Sequence, residues 1–372
     1  MRHVKFSDVI TRANTKEDRF NTDKLYYVGG EHIDSQELLV NNKGLIKGST
    51  IGPMFYCGFK AGQVLFVTRN PHLRKCSAVT FDGICSEKTF VLETKDPTIL
   101  LQSYLMVVMQ SDEFWEYCEE NKSGGVNYFI NWSTLSEYEF DLPSIEDQES
   151  IAKKLWAAYE VKQSYVNMIA ATDEMVKSQF IEMFGDPVTN SKGWPTKPLS
   201  EVAPESPSRH QIEGIVWNLN LDMIESNSGK VISKIYEEVN RLLSVSQFDQ
   251  GNVLFSKLRP YLNKVVVPDE IGYATTELVP LRPDQELLNK YFLAHLLRGH
   301  HFVSYANAIA TGTKMPRMPM NSLRSFKCIL PPMELQQQFV DIAEQADKSK
   351  FELKKSIEAI DKVIKSLINE SL

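Results

Sequence analysis

Two stretches of the sequence are stripped of carboxylates and rich in cations. Leu38 to Phe81 contains no Asp or Glu but carries Lys43, Lys47, Lys60, Arg69, Arg74 and Lys75, with His72 among them. Gln250 to Pro268 likewise has no acid and carries Lys257, Arg259 and Lys264, with Tyr261 between them. Excluding one sign of charge from a surface suits contact with phosphates, whose counterions are released on neutralisation. A solvated basic face would look the same in either run alone; recurrence favours binding. A second loop recurs as well. NKSGGVNYFINWSTL (121–135) and ATGTKMPRMPMNSL (310–323) both place a small hydroxyl residue before a glycine, Gly124 and Gly312. Lys122, Asn127 and Tyr128 stand in the first loop, and Thr313, Lys314 and Arg317 in the second. Glycine lets backbone amides approach a phosphate or base edge closely, although a plain tight turn explains the same residues.

Catalytic constellations are harder to find. Asn70-Pro71-His72-Leu73 approaches the Asn-Pro-Pro-Tyr type of element a methyltransferase would need but lacks the second proline and the aromatic, and no glycine-rich loop precedes it. There is no GxxxxGK[ST], HExxH or GxSxG, and no His/Cys cluster at metal spacing. His300-His301 reads as a partly buried or surface pair, and Glu116, Glu119 and Glu120 as a solvated helix face. The expectation is no catalytic residue, no metal and no cofactor in this chain.

The elements that must position the basic loops come from a duplication. Leu142, Pro143, Glu146 and Gln148 recur as Leu330, Pro331, Glu334 and Gln336; Ile169, Ala171, Asp173, Lys177 and Ser178 recur as Ile357, Ala359, Asp361, Lys365 and Ser366. Upstream, GQVLFVTRNPHLRK (62–75) aligns with GNVLFSKLRPYLNK (251–264). Each copy is a globular unit followed by a helical segment. In the second helical segment Leu353, Ile357, Ile360, Ile364 and Leu367 form a narrow apolar seam at heptad spacing. From Glu334 to Glu370 no Gly or Pro interrupts it, so one helix would run ~55 Å at 1.5 Å per residue. The first segment, from Glu146 to Met183, has a weaker seam through Tyr165, Ile169, Thr172, Val176 and Gln179 and stops at Gly185. Pairing of the two helices as an antiparallel coiled coil would cover both seams; two amphipathic helices each packed on its own domain is the plainer alternative.

The globular units read as mixed α/β, because short β-rich runs alternate with helical stretches. The expected organisation is a first globular unit over 1–141, a long helix over 142–186, a second unit over 187–329 and a long helix over 330–372. The formal charge of −7 on 372 residues argues at first against nucleic acid. Its distribution reverses that. The two helical segments hold eight acids each against four and six bases, whereas residues 251–327 hold ten bases against five acids. Five cysteines without a Cys-x-x-Cys pair, and an N-terminus without an apolar h-region, point to a reducing cytoplasm and no membrane.

Together these residues resemble the DNA specificity (S) subunit of type I restriction-modification systems. Leu330-Pro331-Pro332-Met333-Glu334-Leu335-Gln336-Gln337 is similar to the start of that family's long helix, and Gly251 to Lys264 to its strand and basic loop. FIEMFGDP (180–187) followed by Gly193-Trp194-Pro195 is similar to its exit from the central helix. The resemblance implies two target recognition domains, each reading half of a bipartite double-stranded DNA site, and helices that act as ruler and docking surface. It also implies two methyltransferase subunits that use S-adenosylmethionine to methylate adenine, and motor-nuclease subunits that use ATP and Mg. By this reading Lys60, Arg69, His72, Arg74, Lys75, Lys122, Asn127, Lys257, Arg259, Tyr261, Lys264, Thr313, Lys314 and Arg317 are DNA-contact candidates. Ile169, Val176, Leu353, Ile357, Ile360, Ile364 and Leu367 are helix-pairing candidates. The alternatives are the recognition half of a restriction or methyltransferase fusion, against which the chain length counts, and a coiled-coil scaffold without a DNA role.

Overall fold

Residues 2–210, 213–239 and 245–370 are described by a computed structural model. The chain divides into two compact units, Met1–Asn167 with Leu353–Leu372, and Met168–Glu352. Both are mixed α/β.

In the first unit the strand Val64–Val67 is buried at every residue, so it reads as a continuous apolar run rather than an alternating one. It lies inside an antiparallel sheet ordered Ile10–Ala13, Thr89–Thr94, Val64–Val67, Cys76–Ala78. Helix Asp112–Glu120 closes the core beneath: Phe66 stacks on Trp115 at 5.6 Å and meets Phe114 edge-on at 6.0 Å. A five-stranded sheet follows the order Thr15–Lys16, Phe55–Phe59, Gly83–Ser86, Tyr26–Val28, Gly44–Leu45.

The second unit repeats the plan. Val253–Ser256, again wholly buried, sits between Val265–Val266 and Leu278–Leu281. A four-stranded sheet is ordered Ile235–Glu238, Ile215–Leu219, Gly272–Thr275, Val245–Phe248. Phe255 packs edge-on against Phe302 at 5.8 Å.

The long helices run Ile145–Phe184 and Met333–Asn369. Ser144 Oγ accepts the Asp147 amide at 3.2 Å, an N-cap, and Gly185 at φ +73° ends the first helix where a side chain would be strained. The recurring glutamines explain how the helices are fastened. Gln148 is fully buried; its Nε2 donates to Ile99 O at 2.9 Å and Pro143 O at 3.0 Å, and its Oε1 accepts the Leu101 amide at 3.0 Å. Gln336 does the same with Leu287 O (3.0 Å), Pro331 O (2.8 Å) and the Asn289 amide (2.9 Å).

The apolar seam does not serve the other long helix alone: its residues belong to cores that also take in the globular parts of each unit. Ile364 and Ile368 are buried in the first unit's core with Leu155, Tyr159 and Trp115, and Ile360 packs against that cluster. Leu353, Ile357, Leu367 and Ile169 are half-buried. Val176 belongs to the second unit's core with Phe180, Phe184, Phe339 and Val340. A seam reads identically whether it faces a helix or a sheet-and-helix core, so its spacing could not separate the two. Helix-to-helix contacts do exist inside each unit. Lys162 Nζ meets Asp361 Oδ1 at 2.9 Å in the first. In the second, Asp173 meets Lys350 at 2.6 Å and the Phe180 and Phe339 rings lie 5.2 Å apart, so residue numbers rise on one helix as they fall on the other.

Candidate nucleic-acid interface

Each unit joins its two recurring loops into one surface feature, and does so with the same backbone bonds. In the first, the Ile130 amide donates to Thr68 O and the Asn70 amide to Tyr128 O, both at 2.9 Å, while Ser123 and Phe129 exchange a pair of bonds at 2.8 and 3.0 Å. In the second, the Met318 amide donates to Lys257 O at 2.9 Å and the Arg259 amide to Pro316 O at 2.7 Å, while Thr311 and Arg317 exchange a pair at 3.0 and 2.8 Å. Gly124 and Gly312, at φ +95° and +105°, turn the second loop; a Cβ on Gly124 would fall 2.6 Å from Asn127 O.

The first loop is a single 3-10 turn, Pro71–Leu73 or Pro260–Leu262, flanked by left-handed residues. These are Asn70 (φ 52°) and Arg74 (φ 48°) in one unit and Arg259 (φ 48°) and Asn263 (φ 50°) in the other. A non-glycine residue held there costs about 1–2 kcal/mol, strain of the kind that collects at functional loops.

The candidate cations divide sharply by what their side chains touch. Several are engaged within the fold. Arg74 pairs with Asp112 at 2.5 Å, and Asp112 also accepts from Lys365 at 3.5 Å and Asn369 Nδ2 at 3.1 Å. The guanidinium holds the Asp112 carboxyl below its usual range. Lys75 Nζ donates to Gly30 O at 2.7 Å, and Lys264 Nζ to Leu221 O at 2.6 Å. This matched carbonyl capture gives the recurring lysine a structural role, so its recurrence alone does not mark a phosphate contact. Arg317 donates Nη2 and Nε to Glu277 Oε1 at 2.8 and 3.0 Å, and Lys122 pairs with Glu119 at 2.6 Å while lying 4.6 Å over the Tyr128 ring.

Others remain presented. Arg69 lies 5.2 Å over the Phe129 ring, with Nη1 3.5 Å from Asn127 O. His72 and Asn127 are exposed, as are Thr313 and Lys314, and Tyr261 is half exposed. Arg259 is half-buried with its Nε lacking a hydrogen-bond partner, and the Lys257 side chain has no hydrogen bond or ion pair among the described residues. Lys60 is exposed but sits in the turn entering strand Val64–Val67, at the opposite end from Arg69, so the structure separates it from the joined loops. Sequence reading missed Asp112 and Glu277, the acids that occupy Arg74 and Arg317; nothing local in the sequence ties them to those arginines. Among the described residues no group of three or more His, Cys, Asp or Glu could hold a metal, and no helix is long and apolar enough to cross a membrane.

Comparison with known proteins follows the same lines. A family model for the type I restriction modification DNA specificity domain matches residues 220–361. The Escherichia coli type I restriction enzyme EcoDI specificity subunit is 23% identical over 135 residues, 35% of this chain and 30% of that subunit, so the match spans less than a third of the relative's length. Among solved structures, a chain from work on complex assembly and conformational transition of the type I R-M system is 17% identical with a TM-score of 0.60, covering 100% of this chain and 97% of that one. The type I S subunit from M. genitalium is 12% identical with a TM-score of 0.58, covering 100% and 96%. At these identities the structural likeness is one of fold, over the whole length. Residues 220–361 thus match the type I restriction modification DNA specificity domain, and the whole chain shares its fold with these type I structures.

Proposed function

We propose that this chain is a non-catalytic DNA reader whose two units each contact one half of a bipartite site through the joined loops. The observation that carries this reading is the repetition, bond for bond, of one loop pair in both units, each presenting side chains that make no ion pair among the described residues. In the first unit these are Arg69, His72 and Asn127; in the second, Lys257, Arg259, Tyr261, Thr313 and Lys314. The differences between the two sets suit readers of different half-sites, since phosphate contacts position a protein and base-edge contacts specify sequence. Arg74, Lys75, Lys264 and Arg317 shape the loops in this account rather than meeting DNA.

The long helices, of 40 and 37 residues and so about 60 and 55 Å in length, pair as an antiparallel coiled coil in the same proposal. Readers on one face of B-DNA need centres about one turn, ~34 Å, or a multiple apart, which such a pair can hold. Two methyltransferase subunits would dock on the helices, bring S-adenosylmethionine and extrude the adenine; motor-nuclease subunits would bring ATP and Mg. The assembly works in the cytoplasm. The test is footprinting of the chain with its methyltransferase on duplex DNA. Two protected blocks separated by an unprotected spacer are expected, and methyl transfer by the chain alone would overturn the non-catalytic assignment.

A further inference from the structure

Two of the five cysteines face each other across a sheet. Cys57 on strand Phe55–Phe59 and Cys85 on strand Gly83–Ser86 are direct partners in an antiparallel register, next to an irregularity between Phe55 and Cys57. Directly opposed residues have Cβ atoms about 4.5–5.5 Å apart, within about 1 Å of disulfide distance. Cys57 is half-buried, open to a small reagent, whereas Cys85 is fully buried behind it. The Cys85 thiol facing it, and to a lesser degree the charge of Arg12, lower the Cys57 thiol to about 7, which favours its thiolate near neutral pH. Cys85 is pushed the other way by the neighbouring Cys57 and by burial, which keeps it protonated.

The duplicated unit supplies an internal comparison. The corresponding strands, Val245–Phe248 and Gly272–Thr275, pair in the same antiparallel register, and the opposed residues there are Ser246 and Ala274. The sheet therefore folds without the two thiols.

We propose that Cys57 and Cys85 form a peroxide-driven, reversible disulfide, a redox site present in the first unit only. The Cys57 thiolate attacks one oxygen of hydrogen peroxide, breaking the O–O bond to give a sulfenic acid and hydroxide. Cys85 sulfur then attacks that sulfenic sulfur; the S–O bond breaks, and water leaves with the Cys85 proton. Each peroxide thus accepts two electrons and the thiol pair loses two. The closed bond ties the base of residues 58–84, the segment that contains Arg69 and His72.

The full chain, treated with hydrogen peroxide, alkylated and digested, should yield a Cys57–Cys85 linked peptide that dithiothreitol dissolves. The C57S/C85A variant copies the Ser246/Ala274 pair; it should keep the circular dichroism of the native chain and yield no linked peptide. Both thiols remaining alkylatable after peroxide, with the chain still folded, would overturn the proposal. So would Cys57 running on to sulfinic acid without pairing, or a linkage through Cys76 or Cys118 instead.

Discussion

Lys162 on the central helix meets Asp361 on the C-terminal helix at 2.9 Å, and its duplicate Lys350 meets Asp173 at 2.6 Å. The four residues are one Lys and one Asp written twice, each lysine reaching the aspartate of the other copy's helix. Lys162 also reaches Glu37 Oε1 at 2.6 Å, and Glu37 Oε2 accepts from Tyr159 Oη at 3.0 Å, so the first unit's loop is tied into the same cluster. With only 13% of its side chain exposed, Lys162 is desolvated enough for its loss to matter. Lys162→Ala should destabilise the first unit by about 1–3 kcal/mol, leaving Glu37 short of a partner. Urea unfolding monitored by tryptophan fluorescence would read it, and an unchanged midpoint would contradict the account.

The buried glutamines should be costlier than their modest chemistry suggests. Gln148→Leu or Gln336→Leu removes three satisfied bonds and strands two carbonyls and an amide away from water, a loss of about 2–4 kcal/mol for either. Thermal unfolding should show each variant melting earlier than a neighbouring exposed substitution such as Gln337→Leu.

Arginine positions should separate binding from folding. Arg69→Ala and Arg259→Ala are expected to weaken DNA binding and lower the slope of log affinity against log salt by about one each, with little change in melting. Lys75→Ala and Lys264→Ala should act the other way, mainly lowering stability because Gly30 O and Leu221 O lose their donor. Fluorescence anisotropy over a salt series, paired with melting curves, distinguishes the two classes.

Acid should loosen the contact between Asp112 and the C-terminal helix. The Asp112 carboxyl is held below its unfolded value chiefly by Arg74, so its contribution is full above that value and is lost as pH falls through the lowered one. Asp112→Asn should be less stable than the native chain at neutral pH, and the difference should shrink at pH below about 4. A constant difference across that range would remove Asp112 from the interaction.

Much of the architecture was legible in the sequence because it was written twice. The Val-Leu-Phe strands, the Leu142-Pro143 and Leu330-Pro331 pairs just ahead of the long helices and the stop at Gly185 recur or carry local signals that the strands and helices follow. The seam was legible as a seam but not in its use, since Ile364 packs among residues far away in the chain. The Lys162 and Lys350 pair was detectable, as equal residues at the same offset as Asp173 and Asp361. The basic loops showed their charge, yet charge does not reveal that Glu277 folds onto Arg317 or Gly30 O onto Lys75. Those contacts depend on tertiary placement, and they decide which cations remain for a ligand.

Sequencing of DNA methylation in a host with the gene, without it, and with the Arg69→Ala/Arg259→Ala chain tests the central claim most directly. The account predicts one bipartite adenine-methylated motif that disappears with the gene and is depleted with the double variant at unchanged protein level. Methylation that is the same at every motif in all three strains would contradict it.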